Sequence, residues 1–152
     1  MFSDYKAYKN NSNSWMAPLL NPCFYSVILY RISNIAFRYK LRIIAKLIWF
    51  INRVVFSVDI DYRAKIGRNF ILVHGIGVVI GCDVRIKDNV KIYQGVTLGG
   101  NGKIREIING QMTQPEIGNN CIIYTNTCVF GPVIINDNSI VKACQVVVKD
   151  IG

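Results

Sequence analysis

The chain has 152 residues, 51% of them hydrophobic, with a positive mean hydropathy of +0.28 and a net charge of +9. That is enough chain for one domain with a real core, and too apolar for wholesale disorder. Eight Lys and Arg against the single Asp4 give residues 1–57 a charge of +7, while residues 58–152 carry ten against eight. The basic character therefore sits in the N-terminal third, as solvated helix faces or as a surface for an acidic partner or anionic membrane. Five cysteines without a C-x-x-C pair, and one histidine, exclude a zinc set and read as reduced thiols in a cytoplasmic protein. Nothing at the start resembles a signal peptide, and the uncharged run Ser14–Tyr30 is broken by Asn21 and two prolines, short of a membrane span.

Residues 1–13 are polar and read as a short helix or loose arm. From Cys23 to Phe56 apolar residues recur at helical spacing: Ile28, Ile32, Ile35 and Phe37, then Ile43, Ile44, Leu47, Ile48 and Ile51. This predicts two helices, about 22–38 and 40–55, packed together or on the following domain, with the basic residues along the outer face. Core-forming helices are the leading expectation, and an amphipathic surface lying on a membrane is the second.

Near Ser57 the pattern changes. Every sixth residue from Ile60 is Ile60, Ile66, Leu72, Val78, Val84, Val90 and Val96. Every sixth from Ile117 is Ile117, Ile123, Val129, Ile135, Val141 and Val147. Gly, Asn and Asp fill many positions between, as tight corners require. A six-residue unit is one short strand and one corner, which predicts a parallel β-helix; an antiparallel sandwich would not hold that phase. The fold class expected is mainly β, with a helical region at 1–57 and a β-helix at 58–152. The two combs are out of register, so the segment between them leaves the stack as a loop over about 99–115. Loops of that length in a compact repeat are usually functional.

The comb, together with H-G-I-G-V-V-I-G from His74 and Y-Q-G-V-T-L-G-G ending at Gly100, resembles the serine O-acetyltransferase-like group of hexapeptide acyltransferases. The similarity runs from about Val58 to the C-terminus and more weakly through the helices. It implies a left-handed β-helix and a homotrimer with active sites between subunits. The implied chemistry is O-acetylation from acetyl-CoA without a metal or nucleic acid. His74 matches the catalytic base and Asp59 the carboxylate that orients it; fifteen residues separate them, close to one coil. Asp61 is a substitute for Asp59, and a solvated corner carboxylate is the plain alternative for either. Gly99 and Gly100 match the backbone that meets the thioester; Lys103 with Arg105 could meet coenzyme phosphates or a glycan acid, with exposed loop charges as the plain alternative. Wider similarity places Thr125, Ala143 and Lys149 along the coenzyme groove. The glycines at 75, 77 and 81 read as corners.

The departures concern the acceptor. Relatives have Asp-His where this chain has Val73-His74, and Arg-His-Pro where it has Thr113-Gln114-Pro115. Their Arg-Asp-Pro falls near Asn10-Asn11. The return M-x-x-P-x-I-G, Met112 to Gly118, is closer in type to acetyltransferases of capsule, O-antigen and colanic acid assembly. The leading expectation is transfer of acetyl to a sugar hydroxyl of a surface polysaccharide or its lipid-linked precursor. The expected location is the cytoplasm, at the inner face of the membrane. A serine O-acetyltransferase is the alternative, and a non-catalytic β-helix the third reading. Histidine suits proton abstraction from an alcohol near neutral pH, with direct transfer preferred to a cysteine nucleophile.

Overall fold

In the computed structural model, residues 2–12, 14–101 and 113–152 are described. Three α-helices come first: α1 Phe2–Ser12, α2 Pro22–Arg38 and α3 Arg42–Phe56. Asn21 caps α2 by accepting from the Cys23 N–H at 2.9 Å, with Pro22 in the first turn, where no amide is needed. Lys40 turns the chain into α3 with φ +63°, and Ser57 ends α3 with φ +54°.

The remaining strands are two or three residues long, and all pair in parallel. They form three faces of a left-handed β-helix. The five-stranded face stacks Asp59–Ile60, Val79–Ile80, Thr97–Gly99, Cys128–Phe130 and Val146–Val147. The four-stranded faces begin at Lys65–Ile66 and at Ile71–Val73. Every residue of the two predicted combs is buried except Ile66, which is half-buried.

The coil lengths correct one expectation. Ile60 lies against Ile80, Ile80 against Leu98, Leu98 against Val129 and Val129 against Val147, so successive turns take 20, 18, 31 and 18 residues. The first comb does not hold one column. It runs down the inward strand positions Ile60, Ile66 and Leu72, then passes to the corner positions Val78, Val84, Val90 and Val96. The strand column itself continues as Ile80, Ile86, Ile92 and Leu98. Both columns are aliphatic and buried, so a six-residue beat cannot register the two extra residues in the first turn. Those residues fall at His74-Gly75.

One corner is closed by an asparagine ladder. Asn69 donates to Asn89, Asn89 to Asn120 and Asn120 to Asn138, at 2.7, 2.9 and 3.0 Å. All four sit at φ near +60°, which Asn tolerates better than other side chains bearing a Cβ.

The helices pack on the first turn through polar anchors. Asp4, fully buried, accepts from Arg31 through both carboxylate oxygens and from the Phe70 N–H. Arg31 also donates to the carbonyls of Ile66 and Gly67. The Tyr8 hydroxyl bridges the N–H and carbonyl of Leu72, and burial pushes its pKa well up. The Tyr30 hydroxyl donates to the Ala64 carbonyl, and burial pushes its pKa up to about 12.

The outer surface of the helices differs from the sequence expectation. On α3 the buried residues are Ala45 and Asn52, and Asn52 donates to the Ser26 carbonyl of α2. The helix docks through this small, polar side, which leaves Ile43, Ile44, Leu47 and Ile51 exposed; Ile32 and Ile35 of α2 are exposed too. Of the residues predicted as core, Ile28, Phe37 and Ile48 are half-buried, Ile28 against the core cluster, while the other six form an outer face that the basic residues do not fill. Among the described residues, no helix is long and apolar enough to cross a membrane.

Candidate active site

The two-residue enlargement of the first turn pushes His74 out at the corner between Ile71–Val73 and Val79–Ile80. Its backbone is left-handed, φ +56°, and its carbonyl accepts from the Ile76 N–H at 2.6 Å. His74 follows the strand and is exposed, and His is among the few residue types enriched in this conformation. The imidazole borders a cavity of about 610 Å³ enclosed by α1, the segment Ala17–Cys23, the end of α3 and the first turn. The polar side chains at its wall are those of Tyr8, Asn11, Ser12, Asn21, Ser57 and His74. Among the described residues, no Asp, Glu, Lys or Arg lines it.

Cys23 also borders this cavity, and its sulfur accepts from the Gly75 N–H at 3.1 Å. That neighbour escaped sequence reasoning because 52 residues separate the pair. All five cysteines are free thiols, and the described residues contain no cluster able to hold a metal ion.

Asp59 opens the first turn, opposite Val79. Its carboxylate accepts from the Trp49 indole at 2.8 Å and pairs with Arg53 at 3.3 Å. No hydrogen bond joins it to His74 among the described residues. Asp61 is held by Arg63 through two side-chain bonds at 2.8 and 2.9 Å, at a different corner.

Thr125 and Ala143 fall on the same corner column as His74. The Gly95 N–H donates to Ile76, that of Asn126 to Gln94 and that of Cys144 to Thr125, so Ile76, Gln94, Thr125 and Ala143 stack coil upon coil. Gly99 and Gly100 stand at the opposite edge of the five-stranded face, on the order of 15 Å away at the rise of a strand. Lys149 lies at that far edge too, two residues past Val147 as Gly131 is two past Val129. Nothing lies within 4 Å of the point where a Cβ on Gly99 would sit, so a ligand can approach its backbone. Thr113 and Gln114 return beside it, reaching Asp83 and the amide of Asp83 at 3.3 and 3.2 Å. Lys103 and Arg105, and most of the predicted loop, lie outside the described residues.

The site residues thus occupy two edges of one face, and a single chain does not bring them together.

No family model matches the chain. It is 33% identical over 139 residues to a serine acetyltransferase of Helicobacter pylori, covering 91% of this chain and 78% of that one. Among solved structures it resembles serine acetyltransferase in complex with coenzyme A from Brucella abortus strain S19, with TM-score 0.91 and 25% identity over 99% of this chain. It also resembles soybean serine acetyltransferase complexed with serine, with TM-score 0.89 and 30% identity over 98%. The chain spans only 60% and 61% of those two solved chains. By its fold and by these likenesses, the chain belongs to the serine acetyltransferase family of acetyl-CoA-dependent acyltransferases.

Proposed function

We propose that the protein transfers acetyl from acetyl-CoA to an uncharged sugar hydroxyl, of a surface polysaccharide or its lipid-linked precursor, at the cytoplasmic face of the membrane. The observation that carries this acceptor is the wall of the His74 cavity, polar but without a charged carboxylate, ammonium or guanidinium among the described residues. A free amino acid brings an ammonium and a carboxylate, and the wall this chain contributes offers neither of them a charged partner among the described residues. A sugar brings hydroxyls, which Tyr8, Asn11, Ser12 and Asn21 suit as hydrogen-bonding groups.

Acetyl-CoA would supply the activated acetyl group. His74 takes the acceptor's proton as its oxygen attacks, and returns a proton to the departing thiolate. Asp59 orients the imidazole by a reorientation of its carboxylate from Trp49, in the manner of a base and its positioning group. Gly99 and Gly100 lend backbone N–H groups to the developing oxyanion. Thr125, Ala143, Lys149 and Lys103 follow the coenzyme. Because His74 and Gly99 stand at opposite edges of one face, we assign the complete site to the cleft between two chains of a homotrimer.

Serine is the second reading, and the relatives' names favour it: a soybean relative is complexed with serine. Thiol release from acetyl-CoA separates the two. Release with a glycan precursor, and none with millimolar L-serine, supports the sugar reading; the reverse result replaces it. Undiminished turnover in His74→Ala would remove the mechanism in either case.

A further inference from the structure

We propose that the outer face of α3 docks the protein onto the surface of an anionic lipid bilayer. The proposal deepens the membrane-face part of the functional reading and rests on it there; it does not depend on the acceptor. Taking about 100° per residue along the helix, Ile43, Leu47, Phe50, Ile51, Val54 and Val55 spread over an arc of roughly 140°, opposite buried Ala45 and Asn52. All six are exposed, Ile43 at 78% and Phe50 at 56%. An arc this wide and this bare, on a helix packed along α2 by its opposite side, is a surface built to be covered.

Charge identifies what covers it. Arg42, Lys46 and Arg53 lie within about 40° of one another along one flank of the arc. Arg38, at the end of α2, and Lys40, on the turn after it, precede them, and all five are exposed. Neither α2 nor α3 contains an acidic residue. Asp4, the one acid before Val58, is turned inward to Arg31; Arg53 has Asp59 as a partner. A second copy of this face would set like charges against like. Anionic headgroups would neutralise them while the acyl region takes the apolar arc, each cation near the surface adding about 1 kcal/mol. With fifteen residues, α3 is about 22 Å long, short of the ~30 Å hydrocarbon core, so it lies on the bilayer and does not span it. Val55, at the end of the arc, also borders the His74 cavity. The docked face therefore opens the site toward the lipid surface, where a lipid-linked acceptor is held.

The test is flotation of the full chain with phosphatidylcholine vesicles, with and without phosphatidylglycerol, beside sedimentation velocity without lipid. The wild-type protein is expected to float with the anionic vesicles and about ten-fold less with the neutral ones. Leu47→Glu/Phe50→Glu and Arg42→Glu/Lys46→Glu should each lose about ten-fold or more of that binding, with circular dichroism and sedimentation unchanged. Ile43→Glu, at the most exposed site of the arc, supplies the apolar arm should the double variant misfold. Absence of flotation, binding indifferent to these substitutions, or a drop in assembly mass in the apolar variants without lipid binding would each overturn the proposal. Acetyl transfer to a water-soluble acceptor is read separately, so loss of docking and loss of the activity stay distinct.

Discussion

The Trp49 indole N–H donates to the Asp59 carboxylate at 2.8 Å, and this bond ties the last helix to the first strand of the β-helix. A carboxylate so held is anchored on one side and has its second oxygen shared with Arg53 at 3.3 Å. Trp49→Phe keeps most of the packing and deletes only the donor. Its expected cost is about 1 kcal/mol, a fall in melting temperature of about 2–4 °C, with acetyl transfer nearly intact. Asp59→Asn should instead lower kcat by about ten-fold or more with little change in KM, as loss of a positioning charge does. Equal activity losses in the two variants would show that Asp59 serves only as a helix anchor.

His74 is tested without disturbing its backbone by His74→Asn. Asparagine tolerates the left-handed conformation, φ +56°, that the enlarged corner demands. The expected result is an unchanged melting temperature, retained coenzyme binding by calorimetry and turnover reduced by about 10²–10⁴. Cys23→Ser, beside Gly75 in the same cavity, should keep most of the turnover if the proposed direct transfer holds. A folded but inactive Cys23→Ser, together with an acetyl-enzyme trapped on the wild-type protein and absent from the variant, would assign the nucleophile to sulfur.

The beat of six in the sequence was enough to read the β-helix, because burial of Ile117, Ile123, Val129, Ile135 and Val141 depends on a strictly repeated corner. It was blind at His74-Gly75, where two extra residues shift the comb from one aliphatic column to its neighbour. Helical spacing located α2 and α3 but not their faces: a stripe of isoleucines specifies one apolar side, and Ala45 with Asn52 chose the other for packing. At the site, His74 stood out as the sole histidine in a glycine-rich corner. Trp49 on Asp59 and Cys23 on Gly75 are tertiary contacts with no local signature. The split of the site residues over two edges of a face was likewise hidden, since residue spacing reports the stacking of coils and says little about which corner each residue occupies.

Asp4 is the polar centre of the packing between the helices and the first turn. It meets the Arg31 guanidinium at 3.1 Å through both oxygens and caps the Phe70 N–H at 3.1 Å. Removing one partner of a buried pair leaves the other charge uncompensated, which costs more than the pair contributes. Asp4→Ala is expected to destabilise by about 3–5 kcal/mol, against about 1 kcal/mol for a more accessible counterpart such as Asp61→Ala on its Arg63 pair. Chemical denaturation compares them. Similar midpoints for the two variants would mean that the helices do not depend on this anchor.

Two corner carboxylates, half-buried Asp88 and exposed Asp137, should set part of the acid limb of stability. The Arg68 amide, donating at 2.7 Å, and then its guanidinium hold Asp88 below the ordinary carboxylate range. The Asn119 side chain and amide, the latter at 2.7 Å, do the same for Asp137. A carboxyl whose folded pKa lies below its unfolded value stabilises the fold above the unfolded pKa, about 3.9. That stabilisation is lost as the pH falls through the folded value. The deficit of Asp88→Ala or Asp137→Ala relative to wild type should therefore be fullest at neutral pH and shrink below about pH 4 as the wild-type carboxyls protonate. Melting temperatures across pH 3 to 7 measure it directly. A deficit that stays constant over that range would mean that corner geometry, not carboxylate charge, is what these residues contribute.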